Sequence, residues 1–80
     1  MAAELNRSFA AALRRLRERR DMTQEDLAFA SGVGRVAIAQ METGRRLPSL
    51  PTLFRLAAGL EMTTAEFVGE VERSGDASTA

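Results

Sequence analysis

Residues 23–44, TQEDLAFASGVGRVAIAQMETG, decide how the rest of the chain is arranged. The Thr23 hydroxyl can accept from the free N–H groups that open a helix, and Asp26, three residues on, can reach back to the Thr23 N–H. Leu27, Ala28 and Ala30 then supply a short apolar face, so a helix is expected over residues 24–31. Gly32 follows, where a left-handed backbone costs glycine nothing, and Val33 can tuck under the turn as its apolar anchor. From Arg35 the pattern changes. Ile38 and Met41 share one side of a second helix, expected to end near Thr43, while Arg35, Val36, Ala39 and Gln40 fall on the others. The stretch reads as two short helices joined by a tight turn, the second half buried and half presented.

The flanks supply three more helices. Upstream, Leu5, Phe9, Ala12, Leu13 and Leu16 recur at three- and four-residue spacing between Glu4 and Arg19, with no Gly or Pro to interrupt them. Arg14, Arg15, Arg17, Arg19 and Arg20 crowd the end of that helix, where cations suit the macrodipole and are also within reach of a phosphate. Downstream, Gly44 closes the presented helix. Ser49 caps a fourth helix with Pro51 in its first turn, and Leu50, Leu53, Leu56, Ala57 and Leu60 form its inner stripe, with Phe54 at the core edge. Thr63 and Glu66 repeat the capping pattern for a fifth helix, ending near Glu72, that carries Phe67, Val68 and Val71. So short a closing helix cannot bury all three. A subunit interface is the economical account, and packing against the first helix is the alternative. Residues 74–80, SGDASTA, have nothing to bury and read as a disordered tail, which leaves residues 1–73 as one all-α domain.

Composition narrows the function. The chain has 80 residues, 45% of them apolar, which suits one small domain; such a domain buries roughly 60% of the surface its unfolded chain exposes. Cysteine, histidine and lysine are all absent, which removes thiolate and imidazole metal ligands and the usual nucleophile and base pairs. Neither catalysis, a metal nor a cofactor is expected. No apolar run reaches the ~20 residues of a membrane span, and MAAELNRSF lacks the order of a secretory signal, so a cytoplasmic protein is expected. Net charge is zero, yet residues 1–55 hold ten Arg against six acids whereas residues 56–80 hold one Arg against five. That asymmetry suits a body whose basic front approaches a polyanion.

The presented helix has the chemistry to read DNA. Arg35 can pair with the O6 and N7 edge of guanine and Gln40 with the N6 and N7 edge of adenine, while Val36 and Ala39 can meet thymine methyls. The adjacent Arg45 and Arg46 suit phosphate clamping. Gln24 stands beside the open N–H groups of its own helix, a natural anion site. The alternative leaves Val36 and Ala39 as ordinary exposed residues and Arg35 on a phosphate.

The pattern MTQEDLAFASGVGR, followed by Ile38, Met41-Glu42, Gly44-Arg45-Arg46 and the residues from Pro48 to Ala57, resembles the phage repressor and Cro-like (XRE-like) helix-turn-helix family over roughly residues 8–68. The stretch MTQEDLAF also resembles the controller proteins of restriction-modification systems. The resemblance implies a compact five-helix bundle of the lambda-repressor-like type, with helices two and three forming the motif and helix three in the major groove. It implies phosphate contact by Gln24, Arg45 and Arg46, base reading by Arg35, Val36 and Gln40, and a buried ion pair between Arg17 and Glu42; Thr23, beside Gln24, is a further candidate phosphate contact and Ala39 a further candidate base contact. Three departures stand out: Gly34 replaces a capping Ser, Thr or Asn; Val36, Ala37 and Ala39 replace polar residues; and Glu61 replaces a Gly. The function this predicts is a transcriptional regulator that binds a palindromic site on double-stranded DNA as a homodimer, joined through Phe67, Val68 and Val71. The competing class is an adaptor or antitoxin-like module on the same fold, meeting a protein through Val36, Ala37 and Ala39.

Overall fold

Both threonine capping patterns form. The Asp26 N–H donates to the Thr23 hydroxyl at 3.0 Å and the Thr23 N–H to the Asp26 carboxylate at 2.8 Å; Glu66 and Thr63 make the same pair of bonds at 3.1 and 2.8 Å, respectively. The computed structural model describes residues 2–79, with side chains described for 3–75. Among them are five helices and no strand: α1 (Ala2–Arg19), α2 (Gln24–Ser31), α3 (Arg35–Glu42), α4 (Leu50–Gly59) and α5 (Thr64–Thr79). Gly32 ends α2 at φ 74°, its N–H donating to the Ala28 carbonyl, which frees the chain to turn directly into α3. Glu61 has φ 57°, so the residue standing where glycine is usual adopts the left-handed backbone all the same, at about 1–2 kcal/mol.

One core joins the five helices. Phe9, Leu13 and Leu16 of α1 meet Leu27, Ile38, Met41, Leu56, Leu60 and Phe67, with Val33 under the turn. Each such large side chain contributes roughly 1.5–3 kcal/mol on burial. α1 packs along α5 and across α3, and α4 closes the far side against α2 and α5. Helices α2 and α4 approach so closely at Gly59 that a Cβ there would lie 2.8 Å from the Ser31 Cβ.

Several expectations about burial need correction. Phe67 is fully buried, its ring 5.6 Å from that of Phe9, so it belongs to the α1–α5 core and is withdrawn from any subunit interface. Val71 also packs against this core, and Val68 alone of the three is exposed. Leu5 and Leu50 are half or more exposed because each stands at the outer end of its helix, while Ala10 takes a buried place on α1. α5 continues past Glu72, and Ser74, assigned to the tail by its polarity, is buried in it. Its hydroxyl accepts from Arg15 at 2.6 Å, and Arg15 also donates to the Glu70 carboxylate at 2.9 Å. A satisfied hydroxyl costs little to bury, and the sequence near residue 74 says nothing of a partner on α1. Residues 75–79 of the expected tail likewise continue α5, and the side chains of 76–80 lie outside those described.

Two outcomes follow from this packing. Gly59→Ala should lower stability by about 1–3 kcal/mol, read by chemical denaturation, since the Ser31 backbone has to retreat. The capping carboxylates Asp26 and Glu66 are held below their ordinary values of 3.8 and 4.5, chiefly by the backbone N–H of Thr23 and of Thr63. A lowered carboxylate stabilises the fold above its unfolded value and loses that contribution as pH falls through the folded one. Melting temperatures measured from neutral pH downward through pH 3.8 should therefore drop further for the wild type than for the doubly substituted Asp26→Asn, Glu66→Gln protein.

Candidate nucleic-acid interface

Eight residues make a helix too short to hold itself, and Gly34 gives α3 no side-chain cap. Its position comes from below. Ile38 and Met41 are buried to within 1%, and Glu42 at its last turn is seized by Arg17 of α1. Arg17 Nε and Nη2 donate to the two Glu42 oxygens at 2.7 and 2.9 Å, and Arg17 Nη1 donates to the Met22 carbonyl at 2.7 Å. The two side chains retain only 11% and 4% of their exposure. Hydrogen bonding to Glu42 raises the Arg17 pKa above its already high ordinary value, so Arg17 stays charged. The ion pair implied by the resemblance thus ties α1, the α1–α2 link and the end of α3 together.

The opposite side of α3 is open. Arg35 and Val36 are exposed, and Ala39 and Gln40 are half-buried. Arg35, Val36, Ala39, Gln40, Thr43 and Arg45 line one shallow concavity, and Arg35 also lines a second one with Arg17, Thr23, Gln24 and Glu25. The four residues assigned to base reading are therefore continuous with the start of α2 on one side and the loop after α3 on the other. Arg46 joins them by donating to the Gln40 side-chain oxygen at 3.3 Å. Arg35 and Arg45 make no ion pair among the described residues, which leaves both guanidinium groups for an external anion.

Two side chains do more than their sequence suggests. Gln24 donates from Nε2 to Glu42 at 3.2 Å, so its amide buttresses the ion pair and keeps only its second amide hydrogen for a ligand. Thr23 spends its hydroxyl as the α2 cap acceptor and keeps only its hydroxyl hydrogen for a ligand. Asn6, which no sequence signal singles out, donates to the Gly44 carbonyl at 3.0 Å and pins the turn just before Arg45. Its partner is 38 residues away. Ala37 packs against the core and is withdrawn from the presented surface.

A half-buried short helix, offered outward by a capped helix and a left-handed glycine turn, defines a helix-turn-helix protein. The chain matches the Helix-turn-helix family over residues 13–67 and belongs to that family. It is 35% identical to the transcriptional repressor RstR of the cryptic phage CTXphi of Vibrio cholerae over 68 residues, 85% of this chain and 61% of the repressor. It is 33% identical to the control protein C.MunI of a Mycoplasma species over 66 residues, 81% of this chain and 89% of the relative. Among solved structures it superposes on the restriction-modification controller C.Esp1396I, a tetramer in complex with its natural 35 base-pair operator, with a TM-score of 0.81 at 27% identity, covering 89% of this chain and 93% of that one. Both halves of the expected resemblance, phage repressor and controller protein, are met. These relatives are regulators, not enzymes, and the chain is of the transcriptional-regulator class. Among the described residues no helix is long and apolar enough to cross a membrane.

Removing the Glu42 carboxylate would strand Arg17 and the Gln24 amide in a nearly closed site. Glu42→Ala should cost about 3–5 kcal/mol of unfolding free energy, measured by urea denaturation, whereas an exposed pair such as Arg14 with Glu18 contributes at most about 1 kcal/mol.

Proposed function

We propose that the protein is a sequence-specific DNA-binding regulator that sets α3 into the major groove and binds a two-fold symmetric site as a homodimer. One observation carries this reading: Arg35, Val36, Ala39 and Gln40 form an open surface bounded by Gln24 and Arg45, while Ile38 and Met41 anchor the helix from behind. An α-helix fits the major groove, about 12 Å wide, and Arg and Gln are the residues that form paired hydrogen bonds to guanine and adenine. Arg45, Arg46 and the open N–H groups beside Thr23 and Gln24 then meet phosphates at the two ends. That the superposed controller C.Esp1396I is solved in complex with its natural operator supports DNA as the partner.

Only two strong base readers per protomer give limited discrimination, at about 1–3 kcal/mol for each paired contact. Duplication across a two-fold axis repeats them on half-sites about 34–36 Å apart. Val68, exposed on α5, together with the half-buried Val71, is an apolar surface that α5 offers for that pairing. The competing protein-binding reading loses Ala37 to the core and keeps Val36, which is 63% exposed, and the half-buried Ala39.

Selection from a random duplex pool, followed by binding measurements on the recovered site, tests the proposal. The recovered sequence should be an inverted repeat. Arg35→Ala should relax preference at one base position per half-site, whereas Arg46→Ala should weaken binding to recovered and random duplexes alike and reduce the log–log salt slope by about 0.9 for each phosphate it leaves un-neutralised. Recovery of no enriched sequence, or identical losses on both duplexes for both variants, refutes it.

A further inference from the structure

A second basic surface lies beyond the one that α3 presents. A broad groove runs between α1 and the turn after α3, lined by Ala10 and Ala11, by the arginines Arg7, Arg14, Arg15 and Arg19, and by Thr43 and Gly44. Thr43 lines both this groove and the α3 concavity, so the two surfaces meet there. We propose that this groove holds the sugar–phosphate backbone of DNA flanking the bases that α3 reads, with Arg7 and Arg14 as its phosphate contacts. The inference rests on the DNA-binding reading above and extends its footprint.

The charge of the groove supports that occupant. Two carboxylates line it, Glu18 and Glu42, and both are already engaged by arginine: Glu42 by Arg17, Glu18 by Arg14. Arg15 reaches away to Glu70 and Ser74. Arg7 and Arg19 make no ion pair among the described residues, and Arg14 holds Glu18 through Nε alone at 3.3 Å, which leaves its two Nη groups for a phosphate while Glu18 stays paired. Arg7 and Arg14 lie seven residues apart on α1, about 10.5 Å along its axis, so they stand one above the other on the same face. Ala10 and Ala11 present no side chain tall enough to keep a strand off. The Asn6 bond to the Gly44 carbonyl ties the far wall to α1, beside the turn's own bonds from the Gly44 and Arg45 N–H groups to α3 carbonyls.

A strand of DNA that has crossed the Arg45 end of α3 thus meets, past Thr43, a row of cations with little opposing charge left unpaired. An acidic peptide could also be drawn to such a row, but it would bring no continuity with the α3 surface. The phosphate backbone has that continuity.

The test compares two duplexes carrying the selected site, one ending at its outermost recognised base pair and one extended by about half a helical turn on each side. Affinity is measured over a salt series for the wild type and for Arg7→Gln, Arg14→Gln, singly and together. The expected result is tighter binding and a steeper salt slope for the wild type on the longer duplex. The double variant should forfeit that advantage, its slope falling by about 0.9 for each phosphate no longer neutralised. On the shorter duplex the double variant should match the wild type. Equal loss on both duplexes, or no loss on either, overturns the proposal. Failure of the wild type to prefer the selected site on either duplex would instead remove the DNA-binding reading beneath it. Both positions are exposed, and an unchanged thermal melt of the variants verifies that the fold is intact.

Discussion

The charged bond between Arg17 and Glu42 is the constraint on which the presented surface depends. α3 has eight residues and an unassisted N-terminus, too little helix to set its own direction. Ile38 and Met41 stop it from leaving the core, yet apolar contacts alone permit rotation and sliding. A two-pronged guanidinium contact to both Glu42 oxygens does not, because its geometry is planar and directional. Desolvation offsets much of the attraction, so the pair supplies orientation more than stability. Met22 and Gln24 complete its hydrogen bonds, and no buried side-chain polar atom among the described residues lacks a partner.

The same economy governs the other arginines. Arg15 fastens α5 to α1, Arg20 meets Glu61 across the exposed ends of α1 and α4, and Arg73 shares Glu70 with Arg15. These pairs draw acids of the C-terminal part toward the back of the molecule. Of the arginines left without an ion pair among the described residues, Arg7 and Arg19 line the groove on α1 and Arg35 and Arg45 line the α3 concavity. A protein of zero net charge thereby keeps a cationic front without an excess of cations.

Local signals were easiest to read where chemistry and position coincide. The boundaries of α2 follow from Thr23, Asp26 and Gly32, because capping and left-handed turns are decided within four residues. The inner positions of α3 follow from its period for the same reason. Phe67 misled: an aromatic on a short closing helix looks surplus until Phe9, 58 positions earlier in the numbering, is found beneath it. Ser74 misled in the opposite sense, since its polarity conceals the bond from Arg15. Gln24 looked like a free phosphate donor, and its commitment to Glu42 is invisible from either residue alone.

By itself, then, the chain's order of residues determined where helices begin and stop, which side of each turns inward, and which side chains are chemically able to read a base or hold a phosphate. Those properties depend on neighbours within a turn or two. Only the tertiary structure decided which side chains remain free to do so. Freedom depends on partners far along the chain: Glu42 for Arg17 and Gln24, Phe9 for Phe67, the Gly44 carbonyl for Asn6. A hydrogen bond or a packed ring is a contact in space, and spacing along the sequence carries no record of it.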